Sequence, residues 1–317
     1  MKVLVTGGLG YLGSVLTRKL IEKKFEVKVL DVVLYGNFIA NKCDSFELIK
    51  GDIRDRKVLQ EALKDVEAVI HLAGIIGDSA ADLNMELSIN VNYLATAWLA
   101  KLCGKRDLKL IFSSTCSVYG AQSKEIMTEK SKVAPLSLYA FSKLLSEKAI
   151  KRLCKRYVIF RLGTLFGLSP RMRFDLVVNK FVGQAIQDGV ITVLGGEQYR
   201  PFVHLQDASE YFIKALDIEV NDTFNIGGNN YKIIEVAERL REKLGCEIEI
   251  AKEQNDPRNY AVDSTYAMKI FGNTNFKEVE FAVDEIKNAY AIGAIRNYKD
   301  PIFDNEKWLR QLWHLEL

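Results

Sequence analysis

The sequence is poor in the residues that build metal centres and disulfide frameworks. Its three histidines, His71, His204 and His314, are scattered. Its five cysteines, Cys43, Cys103, Cys116, Cys154 and Cys246, are odd in number and include no CxxC pair. Neither a zinc site nor a disulfide scaffold is expected, and a reducing, cytoplasmic setting follows. Charge of one sign is also lacking: 44 basic residues face 41 acidic ones, for a net charge of +3. No polybasic block stands out, which argues against nucleic acid or a membrane surface as partner. The basic run Lys148, Lys151, Arg152, Lys155 and Arg156 reads as the solvated face of a helix. No apolar run approaches the roughly 20 residues that span a bilayer. Met1-Lys2 leads directly into an apolar strand, so no signal peptide is expected. Internal repeats and low-complexity linkers are absent too. What is present is an ordinary globular composition, 48% hydrophobic and 27% charged, in 317 residues. That length suits about two domains.

Strand-like and helix-like segments alternate through the first half. Lys2–Thr6, Val27–Leu30, Glu47–Lys50, Ala68–His71, Leu108–Ser113 and Val158–Arg161 read as buried strands. Helical spacing falls near Gly13–Lys23, Arg56–Lys64, Ile89–Cys103 and Leu138–Arg156. Regular βαβ alternation predicts an α/β fold with a doubly wound parallel sheet. The pattern loosens after Gly167. A helix at Leu176–Asp188, a strand at Ile191–Leu194, a helix at Tyr231–Leu244 and a strand at Glu247–Ala251 predict a smaller C-terminal α/β domain over a cleft. Phe202–Leu205, the helix after Asp207 and Thr223–Ile226 read as a return to the sheet domain. The expected division is 1–166 plus about 202–228 for the Rossmann domain, and about 167–201 plus 229–317 for a substrate-binding domain.

The first strand runs into Gly7-Gly8-Leu9-Gly10-Tyr11-Leu12-Gly13, which opens a helix. In such a loop the first glycine permits the tight turn, the second lets backbone approach a pyrophosphate, and the third lets helix and strand pack closely. The free N–H groups of the helix start, with Tyr11 and Leu12 in its first turn, then face the phosphates. The spacing is Gly7-x-x-Gly10-x-x-Gly13 rather than GxGxxG. Asp31 ends the second strand 18 residues after Gly13, near the offset of about 20 expected for an acid on the adenosine ribose. A carboxylate there accepts from both ribose hydroxyls and repels a 2′-phosphate. Val32 and Val33 follow, with no arginine to receive NADP, so NAD is the expected cofactor.

Tyr139 and Lys143 stand at i and i+4, one helical turn apart on one face. An ammonium beside a phenol favours the phenolate and brings a poor base nearer neutral pH. With a dinucleotide loop upstream, the pair points to proton-coupled hydride chemistry on an alcohol or ketone.

These residues, with Val5-Thr6-Gly7-Gly8, Gly51-Asp52-Ile53-Arg54, His71-Leu72-Ala73-Gly74, Ser113-Ser114-Thr115 and Val118-Tyr119-Gly120, resemble the extended short-chain dehydrogenase/reductase family. Within it the chain is similar to nucleotide-sugar epimerases and dehydratases typified by UDP-glucose 4-epimerase, over nearly its whole length. The resemblance implies that Asp52 and Ile53 lie at the adenine, that Leu72 and Ala73 line the cofactor path, and that Asn90 lies near the cofactor. It implies that Thr115 hydrogen-bonds the substrate oxygen and that Tyr139 removes the hydroxyl proton. Lys143 would hold the nicotinamide ribose and, aided by the positive nicotinamide, lower the pKa of the tyrosine. Gly195-Gly196-Glu197-Gln198-Tyr199-Arg200 and Asp256-Pro257-Arg258 resemble the segments that bring two arginines, Arg200 and Arg258, to the diphosphate of the substrate. Guanidinium suits that work because its planar fork meets phosphate oxygens in pairs. Asn179 falls where the family contacts substrate, as do Arg171 and Arg173, which read equally well as surface charges.

The chain departs from the family in three places. Sugar 4,6-dehydratases carry an Asp-Glu pair after the catalytic hydroxyl residue, and decarboxylases usually a Glu in that stretch. Cys116-Ser117 stands there instead, which disfavours both reactions. Cys116 reads as a small buried cysteine rather than a base. Gly163-Thr164 replaces the usual aromatic-Asn, and Asp78 follows the Ala68–His71 strand in a loop that could face the sugar. The expectation is an NAD-dependent 4-epimerase of a nucleotide-diphosphate sugar; the alternative is an NAD(P)H-dependent nucleotide keto-sugar reductase. Family members pair through the helices that here hold Leu94, Trp98 and Leu99, and Leu144, Leu145 and Ile150, so a homodimer is expected.

Overall fold

The computed structural model describes residues 1–39, 46–251, 256–272 and 275–314; Cys43 lies outside them. Seven parallel strands form the main sheet: β1 (Lys2–Thr6), β2 (Glu26–Asp31), β3 (Phe46–Lys50), β4 (Ala68–His71), β5 (Lys109–Thr115), β6 (Tyr157–Leu162) and β7 (Asp222–Ile226). Their spatial order is β7-β6-β5-β4-β1-β2-β3. The chain winds one way from β1 to β3, then crosses back and winds the other way from β4. The crevice between β1 and β4, at the carboxyl ends of the strands, is where an open α/β sheet binds its ligand.

Both faces of the inner strands are covered, which is why these strands are apolar without alternation, whereas the edge strand β3 has no buried residue. Val3, Val5, Ile111, Val158 and Phe160 point to one face, where they meet Leu16 and Leu20 of the Tyr11–Glu22 helix and Phe212 of the Leu205–Asp217 helix. Leu4, Leu110, Phe112 and Ile159 point to the other, against Leu59, Leu99, Leu102 and Ile150. Phe160 lies among Tyr211, Phe212, Phe224 and Phe271, with ring centroids 5.0–6.2 Å away. Such aromatic pairs add to burial through edge-to-face geometry.

Three small sheets sit beyond the carboxyl end. Tyr199–His204 pairs with Thr164–Phe166 in parallel and with Asn229–Lys232 in antiparallel. Val190–Leu194 pairs with Glu247–Ala251, and Ala121–Met127 with Asn259–Val262. Two segments thus differ from expectation. Tyr199–His204 stays in the second layer, and the return to the main sheet is made by the Leu205–Asp217 helix and β7. Tyr231 and Lys232 are strand rather than helix: the helix begins at Ile233, with Glu235 accepting from the Lys232 N–H at 2.8 Å.

Of the two apolar stripes, Leu99, Leu144 and Ile150 are core, whereas Leu94 is 51% exposed. Among the described residues no helix is long and apolar enough to cross a membrane.

Candidate active site

A cleft of about 1450 Å³ runs along the carboxyl end of the main sheet, between it and the second layer. Single ligand pockets usually measure roughly 300–1,000 Å³, so this one has room for a dinucleotide and a second nucleotide together. Gly7, Gly10, Tyr11, Leu12, Gly13, Asp31, Asp52, Ile53, Leu72, Ala73, Thr115, Tyr139, Arg200 and Arg258 all line it.

At the β1 end, Gly7 takes φ +71°, and a Cβ there would meet the Ala73 nitrogen at 2.6 Å. A Cβ on Gly13 would meet the Gly7 carbonyl oxygen at 2.1 Å, so helix and loop need the bare backbone. A Cβ on Gly10 would meet only that same oxygen, at 3.3 Å; its other side is open. Gly10 also begins the Tyr11–Glu22 helix with no side-chain cap and no acid in the first turn, which leaves the first N–H groups for an anion. Asp31 is held at the end of β2 by the Leu9 N–H (3.0 Å) and the Val33 N–H (2.8 Å). Burial raises its pKa while those two donors pull it back. Loop, helix start and carboxylate together fit NAD. Asp52 accepts from Arg54, with Nη2 to Oδ2 at 2.7 Å.

At the centre, Thr115 ends β5. Its hydroxyl accepts from the Ser117 N–H at 3.1 Å and is hydrogen-bonded to the Tyr139 phenol. Ser137 caps the Leu138–Leu153 helix by accepting from the Ala140 N–H at 3.2 Å, and so fixes the turn that carries Tyr139. Lys143 lies one turn on, 1% exposed, beneath the cleft floor. Its ammonium donates to the Ser113 carbonyl at 2.9 Å and sits 4.7 Å from the centre of the Phe112 ring. Burial lowers its pKa to about 7, against the pull of Glu147. The expected lowering of the tyrosine is not seen. Burial, aided by the Asp78 charge, drives the Tyr139 pKa up, because the ammonium faces Ser113 rather than the phenol. Beneath both lies His71, its pKa pushed down to about 3 by burial and by Lys143. Thr96 gives its proton to the Asn92 carbonyl (2.7 Å), so His71 Nε2 must donate to Thr96 (2.8 Å) and Nδ1 accept from Thr6 (2.6 Å). The imidazole is a neutral strut.

At the far wall, Arg200 and Arg258 share Asp256. Arg200 Nη2 is 2.8 Å from it, and Arg258 grips it through Nε (2.9 Å) and Nη2 (2.6 Å). Arg258 also reaches Asp78 across the cleft, at 2.7 Å.

Two expected site residues stand outside the cleft wall. Asn179 is fully buried and has no free hydrogen-bonding group: it donates to the Tyr11 phenol (2.7 Å) and the Arg173 carbonyl (2.8 Å) and accepts from the Gly167 N–H (3.0 Å). It braces Tyr11, whose phenol donates to the Gly167 carbonyl at 2.7 Å. Asn90 stands outside the cleft wall, which is made there by Leu87 and Val91. Asn92 instead clamps the loop after β4, accepting from the Ile75 N–H (2.8 Å) and donating to its carbonyl (3.0 Å).

Sequence reasoning also undervalued Arg171 and Arg173, which are 2% and 8% exposed and line the cleft. Arg173 is paired to Asp175 at 2.9 and 2.6 Å, while Arg171 lies 3.7 Å over the Tyr35 ring. Burial beside Arg173 brings the Arg171 pKa down to about 10. Tyr260, buried with its phenol 3.2 Å from Ser117 Oγ, was missed outright. Its place two residues after Arg258, on the same side of an extended chain, was the available signal.

A dinucleotide cradle at the switch point, with Thr115 and Tyr139 on its floor and Lys143 beneath them, defines an NAD-binding enzyme. The chain belongs to the NAD dependent epimerase/dehydratase family, whose profile matches residues 3–227, and NAD is its cofactor. It is 30% identical over 253 residues to a putative UDP-glucose 4-epimerase of Methanocaldococcus jannaschii, covering 77% of this chain and 82% of the relative. It is 27% identical over 295 residues to UDP-glucuronic acid decarboxylase 1 of Xenopus tropicalis, covering 86% and 68%. Among solved structures, the UDP-glucose 4-epimerase of Thermotoga maritima superposes with a TM-score of 0.82 at 24% identity, over 92% of this chain and all of that one. The dTDP-glucose 4,6-dehydratase DesIV of Streptomyces venezuelae gives 0.84 at 22%, over 95% and 100%. These last two likenesses concern the fold.

Proposed function

We propose that the protein is an NAD-dependent 4-epimerase of a nucleotide-diphosphate sugar, cytoplasmic and homodimeric. When bound, NAD supplies a hydride acceptor that becomes the hydride donor of the return step. Tyr139 takes the proton of the C4 hydroxyl and later gives it back, and Thr115 holds that oxygen in line. Lys143, one helical turn on, holds the nicotinamide ribose, and Arg200 and Arg258 take the diphosphate. Net redox is zero, so the cofactor need not exchange.

One observation favours epimerization over elimination or decarboxylation. Those reactions need acid–base groups beyond the tyrosine, and among the described residues every carboxylate that lines the cleft is held: Asp31 by backbone, Asp52 by Arg54, Asp175 by Arg173, Asp256 by two arginines, Asp78 by Ser137 and Arg258, Asp304 by the Lys307 N–H and Glu306 by Arg310. After Thr115 comes Cys116, wholly buried, its thiol donating to the Arg161 carbonyl and pushed far up in pKa by burial. It lies outside the cleft wall in which Tyr139 stands, and its thiol faces backbone rather than the space a sugar would fill.

The test is NMR of UDP-, GDP- and dTDP-sugars incubated with the protein and trace NAD. A C4 epimer forming without accumulated NADH is the expected result. Turnover confined to 4-keto sugars with stoichiometric NADH or NADPH would replace this reading with the reductase.

A further inference from the structure

Asp78 stands at a junction of three parts of the cleft. It opens the short Asp78–Asp82 helix after β4. One carboxylate oxygen accepts from Ser137 Oγ at 2.6 Å, and the other lies 2.7 Å from Arg258 Nη1. Ser137 is the cap of the helix that carries Tyr139, two residues before it. Arg258 therefore carries two carboxylates, but they differ in kind. Asp256 belongs to the same segment and is shared with Arg200. Asp78 comes from the opposite wall. Asp78 and Arg258 keep 22% and 34% of their side-chain surface, so the pair can be opened by a ligand entering the cleft.

We propose that Asp78 is a positioning residue that couples the diphosphate site to the catalytic tyrosine. The proposal rests on the reading of Arg258 as a diphosphate ligand. In the free protein Asp78 neutralises Arg258 and draws the Arg200–Asp256–Arg258 group onto the tyrosine helix. A diphosphate arriving between the arginines competes with this carboxylate for Arg258 and is repelled by its charge. Asp78, released from Arg258, stays on Ser137 and holds the helix cap beside Tyr139, on which its charge already acts. One carboxylate thus holds the arginines in one state and the helix cap in the other.

Asp78→Asn keeps the size of the side chain and an acceptor for Ser137, and it removes the charge on Arg258. Isothermal titration of the NAD-loaded protein with UDP, GDP and dTDP should show the best-bound of these tightening by about fivefold, the scale of a half-exposed ion pair. Steady-state rates should show kcat and KM falling together, because a neutral amide oxygen holds the Ser137 hydroxyl more weakly than the carboxylate does. A variant that merely loosened the structure would weaken nucleotide binding, so tightening is the diagnostic sign. Affinity equal to or below that of the unaltered protein overturns the proposal. Arg258→Ala separates the two failures. If it loses nucleotide affinity while Asp78→Asn gains none, only the coupling is wrong. If it leaves affinity unchanged, the diphosphate reading and the proposal fall together.

Discussion

Lys143 is the residue whose surroundings most control the chemistry. It is buried on a carbonyl and a ring face, and its pKa is lowered to about 7. The unfolded chain binds its proton up to about pH 10.4. Between pH 7 and that value the unfolded state holds more protons than the folded one, so this group's contribution to stability rises with pH. Chemical denaturation from pH 7 to 9 should therefore show the unaltered protein gaining on Lys143→Met, by at most about 1.4 kcal/mol per pH unit. A flat difference would mean that the ammonium is not desolvated as described. Tyr139→Phe should leave NAD binding intact and lower turnover by about 10²–10⁴, the scale of a lost acid–base group. Surviving activity would move the proton transfer elsewhere. Asp31→Ala should weaken NAD by roughly tenfold, the worth of a hydrogen bond to a charged group, in a fluorescence titration. It should also narrow the preference over NADP, since the repelling carboxylate is gone.

At the level of elements, the strand–loop–helix unit at Gly7–Gly13 and the Leu138–Leu153 helix were legible because their signals are local. A turn needs glycine where a Cβ would strike backbone, and two functional groups at i and i+4 share a helix face. Asn92 and Asn179 were not legible. Whether an asparagine faces the cleft or clamps a loop depends on partners 17 residues away in the first case and up to 168 in the second. Asp78 and Arg258 were each visible as candidates, but their pairing across 180 positions was not. The support of β5 and β6 is similarly non-local. Glu147, one turn beyond Lys143, receives Arg161 at 3.0 and 2.7 Å and the Ser114 hydroxyl at 2.5 Å, and Arg161 also donates to the Tyr119 phenol at 2.9 Å. Glu147 is 2% exposed and Arg161 5%. Removing one partner strands a buried charge, so Arg161→Met should cost about 3–5 kcal/mol in urea denaturation. The double variant Glu147→Leu with Arg161→Met should recover much of that. Two equal, small losses would mean the pair is hydrated rather than buried.

At the scale of the whole molecule, the helices behind the active site leave apolar surface uncovered. Leu94 is 51% exposed, Phe141 46% and Met85 64%, all on or beside the helices that carry the catalytic set, whereas Leu99, Leu144 and Ile150 of the same helices are core. Large apolar side chains gathered in one region mark an interaction surface more often than a monomer's ordinary exterior. A second copy of the chain is the occupant we propose, because two such helix pairs laid face to face bury one another's exposed positions symmetrically. A stable dimer needs roughly 800 Å² from each partner, which the continuous helical stretch 85–106 and the Leu138–Leu153 helix would supply together. Sedimentation equilibrium should then return about twice the 35.9 kDa chain mass. Phe141→Glu places a charge in the proposed contact and should return the single-chain mass, with NAD binding kept, since Phe141 lies away from the cleft wall. A single-chain mass for the unaltered protein at tens of micromolar would remove the dimer. The exposed leucine and phenylalanine would then need a different partner, because burial in the chain's own core does not account for them.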